Sequence, residues 1–110
     1  MNRRTKNINP SEVLKLSELV NLAEGQVVSK TISQNDNVSI TLFAFSKGEE
    51  ISTHESSGDA LVTILEGKSE IVIDGENFSV SEGESILMPA GSPHSLHALE
   101  DFKMMLTVVF

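Results

Sequence analysis

Residues 61–81 read Leu61-Val62-Thr63-Ile64-Leu65-Glu66-Gly67-Lys68-Ser69-Glu70-Ile71-Val72-Ile73-Asp74-Gly75-Glu76-Asn77-Phe78-Ser79-Val80-Ser81. Three short apolar or β-branched runs, Leu61–Leu65, Glu70–Ile73 and Phe78–Val80, are separated by Glu66-Gly67 and Asp74-Gly75. Asp-Gly between two such runs is a strong hairpin signal, because a tight two-residue turn needs positive φ at both central positions. The same rhythm continues outward. Gly48, Gly58, Gly67, Gly75, Gly83 and Gly91 recur every eight to ten residues, with further runs at Val38–Phe45, Ile86–Met88 and Met104–Phe110. Glu82-Gly83-Glu84 marks another turn. Short strands with turns at that spacing predict an all-β sandwich or barrel.

Several of these strands are apolar on both faces. Leu42 and Ala44 fall on one side of Val38–Phe45, and Phe43 and Phe45 on the other; Leu61–Leu65 and Met104–Val109 behave alike. A half-exposed strand alternates apolar with polar residues. A strand buried on both faces needs a second layer, and a chain of 110 residues has little left to supply one. A partner subunit is the economical source, so a homodimer with two-fold symmetry is expected; a sandwich burying both faces internally is the alternative.

Upstream of the β pattern, residues 11–24 carry two signals. Leu16, Leu19 and Val20 fit helical spacing, with Ser17 as a cap for a turn running to Leu22. The alternation around Val13–Leu16 fits a short edge strand. Residues 1–10 hold Arg3, Arg4 and Lys6 with no acidic residue, and read as a mobile leader before a single barrel domain over residues 11–110.

Composition narrows the chemistry. The chain has a net charge of −8, three histidines and no Cys, Trp or Tyr. Absent cysteine excludes disulfides, thiol nucleophiles and thiolate metal sites. The acidic balance argues against nucleic acid, which needs a basic surface. No apolar segment follows the basic start, so it is not a secretory signal, and no stretch approaches the ~20 apolar residues of a membrane span. The expectation is a cytoplasmic protein with neither membrane nor nucleic acid as partner. Ser56, Ser57 and Ser92 lack a nucleophile-elbow context, and no phosphate loop is present. The histidines and a few carboxylates are left to carry any chemistry.

His54 follows Gly48-Glu49-Glu50-Ile51-Ser52-Thr53, and His94 and His97 lie in Pro89-Ala90-Gly91-Ser92-Pro93-His94-Ser95-Leu96-His97. The first stretch continues through Ser56 and Ala60 to Gly67; the second runs from Gly83 to Ala98. Together they resemble the two motifs of the cupin superfamily, and the resemblance covers residues 36–110 best. It implies a double-stranded β-helix, the jelly-roll barrel, here with a short N-terminal helical turn. It also implies a divalent metal (Zn, Fe, Mn or Ni) held by three histidines and one glutamate. In this chain His54 and His94 match two of those positions. Ser56 and Ala60 replace the second histidine and the glutamate, and Ala98 stands at the asparagine-type position.

Two imidazoles make a weak or absent metal site, because a first-row divalent ion takes three or more protein ligands. Strand parity turns Glu55, Asp59 and His97 away from the ligand face unless the backbone is irregular there. The expected function is therefore binding of a small organic ligand in the barrel interior. His54 and His94 would be its polar anchors, with Ser56, Ala60 and Met88 shaping a pocket widened by the small replacements. The alternative is a metal-dependent dioxygenase or isomerase of a small metabolite using His54 and His94. An accessory sensor acting through protein contacts is a third reading.

Overall fold

The protein was analysed as a computed structural model, which describes residues 3–110. Met1 and Asn2 of the expected leader lie outside the described residues. Nine strands follow in chain order: β1 (Val27–Gln34), β2 (Val38–Phe45), β3 (Glu50–His54), β4 (Asp59–Glu66), β5 (Lys68–Ile73), β6 (Glu76–Ser81), β7 (Ser85–Met88), β8 (His94–His97) and β9 (Phe102–Val109). They form a five-stranded sheet, β1-β2-β9-β4-β7, and a four-stranded sheet, β3-β8-β5-β6, all pairs antiparallel. This is the jelly-roll barrel. The β5–β6 hairpin pairs Ile73 with Glu76 across Asp74-Gly75, whose φ angles of 50° and 81° are those of the tight turn the sequence predicts. Gly67, with φ of 77°, joins β4 to β5 where a Cβ would run into the Asp101 carbonyl oxygen.

Alternation sorts the side chains. Ala60, Val62 and Ile64 of β4 and Phe102, Met104 and Val108 of β9 face inward, where they meet Ile71, Ile73, Val80 and Leu96. Phe45 stacks on Phe102 with ring centroids 4.5 Å apart and an interplanar angle of 14°. Each buried Val, Ile, Leu, Phe or Met side chain among them contributes roughly 1.5–3 kcal/mol of apolar transfer, which makes this the principal core.

The opposite face of the five-stranded sheet corrects one premise of the dimer expectation. Leu42 and Ala44 are buried there within a second cluster containing Val20 and Ile32, against which Ile8, Leu16, Leu19 and Met105 pack. The N-terminal third of this same chain supplies a second layer over that end of the sheet. It does so largely as irregular chain. Residues 11–24 form no strand; the one helical element is a 3₁₀ turn over Leu16–Leu19, preceded by Lys15 with no side-chain cap. Ser17 lies inside that turn rather than capping it, and its carbonyl accepts a hydrogen bond from Lys103 Nζ at 2.7 Å. The leader is tied to β1: Lys6 N–H donates to the Ile32 carbonyl at 2.8 Å, and Ser33 Oγ donates to the Arg4 carbonyl at 2.7 Å.

The rest of that outer face stays open. Leu87, Leu61 and Thr107 form one cross-strand row through β7, β4 and β9, which ends at Ile40 of β2, itself packed against the second cluster. Leu61 and Leu87 are 39% and 51% exposed.

Candidate functional site

β3 and β8 are adjacent antiparallel strands, and their register decides where the histidines point. Glu50 pairs with His97 and Ile51 with Leu96, but His54 then pairs with His94. Regular pairing after Ile51 would place Thr53 opposite His94. One extra residue in β3 therefore turns His54 onto the face that carries His94 and Leu96, as a bulge re-aims a side chain. The two motif histidines, 40 residues apart in sequence, meet with Nε2 atoms 3.1 Å apart and rings edge-to-face. His94 is 2% exposed, whereas His54 is exposed toward solvent.

Beside the pair lies a cavity of about 330 Å³. All five residues expected at the pocket, His54, Ser56, Ala60, Met88 and His94, line it. Ile51, Leu96, Met104, Leu106 and Val108 also line it and are not among the pocket residues the sequence suggests. The signal for Leu106 and Val108 was present, since they continue the inward alternation of β9 from Met104. Glu55 is the one lining residue with a formal charge at neutral pH, and no Lys or Arg takes part.

The cavity mouth is pinned by its own backbone. Gly91 N–H donates to the Ser56 carbonyl at 2.9 Å, and Gly58 N–H to Ser56 Oγ at 3.2 Å. Asp59 leaves the site: its Oδ1 accepts from Ala90 N–H at 2.8 Å. His97 lies on the outer face, its Nδ1 3.4 Å from Glu50 Oε2. Neither joins the imidazole pair.

Hydrogen counting defines the pair's chemistry. His54 Nδ1 lies 2.9 Å from the Ser52 carbonyl oxygen, and His94 Nδ1 lies 3.0 Å from that of Ser92. A carbonyl only accepts, so each Nδ1 is the donor. That leaves the two Nε2 atoms facing each other. Burial pushes the His94 pKa below the ordinary 6.5; the Ser92 carbonyl partly offsets this, and repulsion from His54 adds to it.

The donor set was weighed against the divalent metal that the motifs imply. The Nε2 lone pairs converge, and both rings are oriented by backbone carbonyls as metal-binding imidazoles usually are. The shell stops there, because Ser56 and Ala60 bring no strong ligand. Among the described residues no group of three or more His, Cys, Asp or Glu is placed to hold a metal. These residues do not make up a complete metal site.

Two antiparallel sheets closing on a cavity, with one histidine delivered from each of two neighbouring strands, place the chain among the jelly-roll barrels. Within that class it belongs to the cupin family: residues 41–110 match the family model of the cupin domain. The crystal structure of a conserved protein of unknown function from Streptococcus pyogenes is 46% identical, with a TM-score of 0.95 over 98% of this chain and 95% of that one. A cupin superfamily protein from Desulfitobacterium hafniense is 32% identical, with a TM-score of 0.93 over 98% of this chain and 99% of the other. Quercetin 2,3-dioxygenase of Bacillus subtilis is 31% identical over 71 residues, 63% of this chain but only 21% of that enzyme. No helix among the described residues is long and apolar enough to cross a membrane.

Proposed function

We propose that this cupin binds a small organic ligand in the barrel cavity, with His54 and His94 as polar anchors and a degenerate metal site. The observation that carries this reading is the cavity itself: about 330 Å³, walled largely by apolar side chains and furnished with a single imidazole pair. Mostly apolar pockets with a few convergent polar groups are the usual form of small-ligand sites. A fragment screen by ligand-observed NMR tests it. Hits are expected to compete for one site and to be lost in Ala60→Phe, which fills the cavity, when that variant keeps the wild-type amide spectrum. Hits retained by a folded Ala60→Phe variant would place binding elsewhere.

The alternative is a metal-dependent dioxygenase or isomerase, favoured by the two convergent Nε2 atoms and by the dioxygenase relative. Elemental analysis of protein purified without a metal-affinity tag separates the two. Stoichiometric Fe, Mn, Ni or Zn, lost in His54→Ala, would establish the alternative; a metal content far below one per chain accords with the ligand-binding reading.

We further propose that a second copy of this chain covers the open row Leu87–Leu61–Thr107. The row is free of charged residues on a molecule of net charge −8, and an uncharged apolar strip is where like-charged copies can meet about a two-fold axis. A cytoplasmic location remains part of the same proposal, with no nucleic-acid or membrane partner.

A further inference from the structure

The cavity lining sorts by burial. Ala60, Met88, Leu96 and Met104, from β4, β7, β8 and β9, are buried and apolar. The exposed side is one continuous run, His54-Glu55-Ser56-Ser57, of which only Ser56 is half-buried. All four are polar, and Glu55 carries the one formal charge in the lining. Main chain holds this run in place, because the Ser56 carbonyl accepts from Gly91 N–H and Ser56 Oγ from Gly58 N–H. The rim therefore presents Glu55 from a fixed backbone. We infer that the cavity takes an amphiphilic cation, with an apolar body against the buried side chains and an ammonium head at the rim beside Glu55. This rests on the proposed ligand-binding reading and specifies the ligand class within it.

Three features select that class. Glu55 has no ion-pair partner among the described residues, so its carboxylate is free to take a ligand's charge. An anionic head would meet that carboxylate on a chain of net charge −8, with no Lys or Arg in the lining to receive it. Backbone N–H groups, the other common receptors of anions, are already used around this mouth: those of Gly58 and Gly91 donate to Ser56, and that of Ala90 donates to Asp59 Oδ1. Depth decides where the cation sits. Among Met88, Leu96 and Met104 it would shed its hydration against apolar side chains, which is costly. At the exposed rim it keeps water on one side while its carbon skeleton buries apolar surface. A neutral hydroxyl head fits the same rim but gains nothing from the charge of Glu55.

The test uses three probes that share a phenylalkyl body: 3-phenylpropylamine, 3-phenylpropanol and 3-phenylpropanoate. Each is titrated into the full-length protein at low salt while the Met88 and Met104 methyl signals report filling of the cavity. The amine should bind about two- to fivefold more tightly than the alcohol, the span of an exposed ion pair, and the carboxylate most weakly. Glu55→Gln should erase the amine's lead. Glu82→Gln, which removes the same charge from an exposed position outside the cavity lining, should preserve it. Raising the salt concentration should shrink the lead in the wild-type protein, because exposed charges are screened. Equal affinity for amine and alcohol would overturn the cation inference and leave the cavity reading standing. So would tightest binding of the carboxylate, a lead that survives Glu55→Gln or high salt, or a lead lost equally in both variants. Methyl signals that respond to none of the three probes would overturn both readings.

Discussion

His54 and His94 hold their Nε2 atoms 3.1 Å apart on neighbouring strands, while each Nδ1 is committed to a backbone carbonyl two residues upstream. Each ring is therefore fixed at Nδ1 by main chain, which leaves the facing Nε2 atoms for chemistry. What replaces the second histidine and the glutamate of the family pattern is a serine engaged with Gly58 and an alanine packed in the core. Among the described residues no third His, Cys, Asp or Glu joins the two histidines in a group placed to hold a metal.

Stability should depend on pH through His94. Its pKa in the folded protein lies below 6.5, so between that lowered value and pH 6.5 the unfolded chain binds more protons than the folded one. The stabilisation from keeping His94 neutral is complete above about pH 6.5 and is lost as pH falls through the folded value. Thermal melts across mildly acidic pH should show a steeper loss for wild type than for His94→Gln, since carboxylate contributions are common to both. Parallel curves would contradict this assignment.

The N-terminal layer should contribute measurable stability. Val20 is almost fully buried against Leu42 and Ala44, so Val20→Ala removes two methyl groups from a packed site. A loss of about 2 kcal/mol is expected from urea unfolding, the scale of deleting buried methyls and leaving a cavity. Val13→Ala, at a fully exposed position in the same segment, should change stability by no more than about 0.5 kcal/mol. Equal effects at both positions would show that the segment is not a packed layer.

The open row predicts where self-association is sensitive. Leu61→Glu and Leu87→Glu each place a charge on the row without touching the core. Sedimentation equilibrium should show a dimer for wild type and a dissociation constant raised about thirtyfold or more in either variant, the effect of losing one central contact. Unchanged melting temperatures would show that the change is confined to the interface. A wild-type chain that sediments as a monomer at all concentrations would refute the proposed partner.

The strands that were plain in the sequence are those with β-branched alternation, such as β2, β4 and β5. β3 and β8 were not, and the reason is chemical. Glu50, Ser52, Thr53 and His54 give β3 little apolar signal, and β8 is four residues, two of them histidine. The elements that carry the site are therefore those least visible to periodicity, and the histidines were found through motif spacing instead. The extra residue that turns His54 inward has no local sequence mark, because it is set by the register of β3 against β8. The second layer escaped for a different reason. Ile8 and Val20 reach the sheet from irregular chain, and Leu16 and Leu19 from a single 3₁₀ turn whose helical spacing does not say which face of a sheet it covers.

A crystal structure at high resolution, with anomalous data collected on protein purified without a metal-affinity tag, tests the central claim most directly. The account predicts organic density in the cavity beside the His54–His94 pair, a polar ligand atom within hydrogen-bond reach of an Nε2 atom, and no anomalous peak between the rings. A strong anomalous peak there, with a third protein side chain turned in to complete a metal shell, would contradict it.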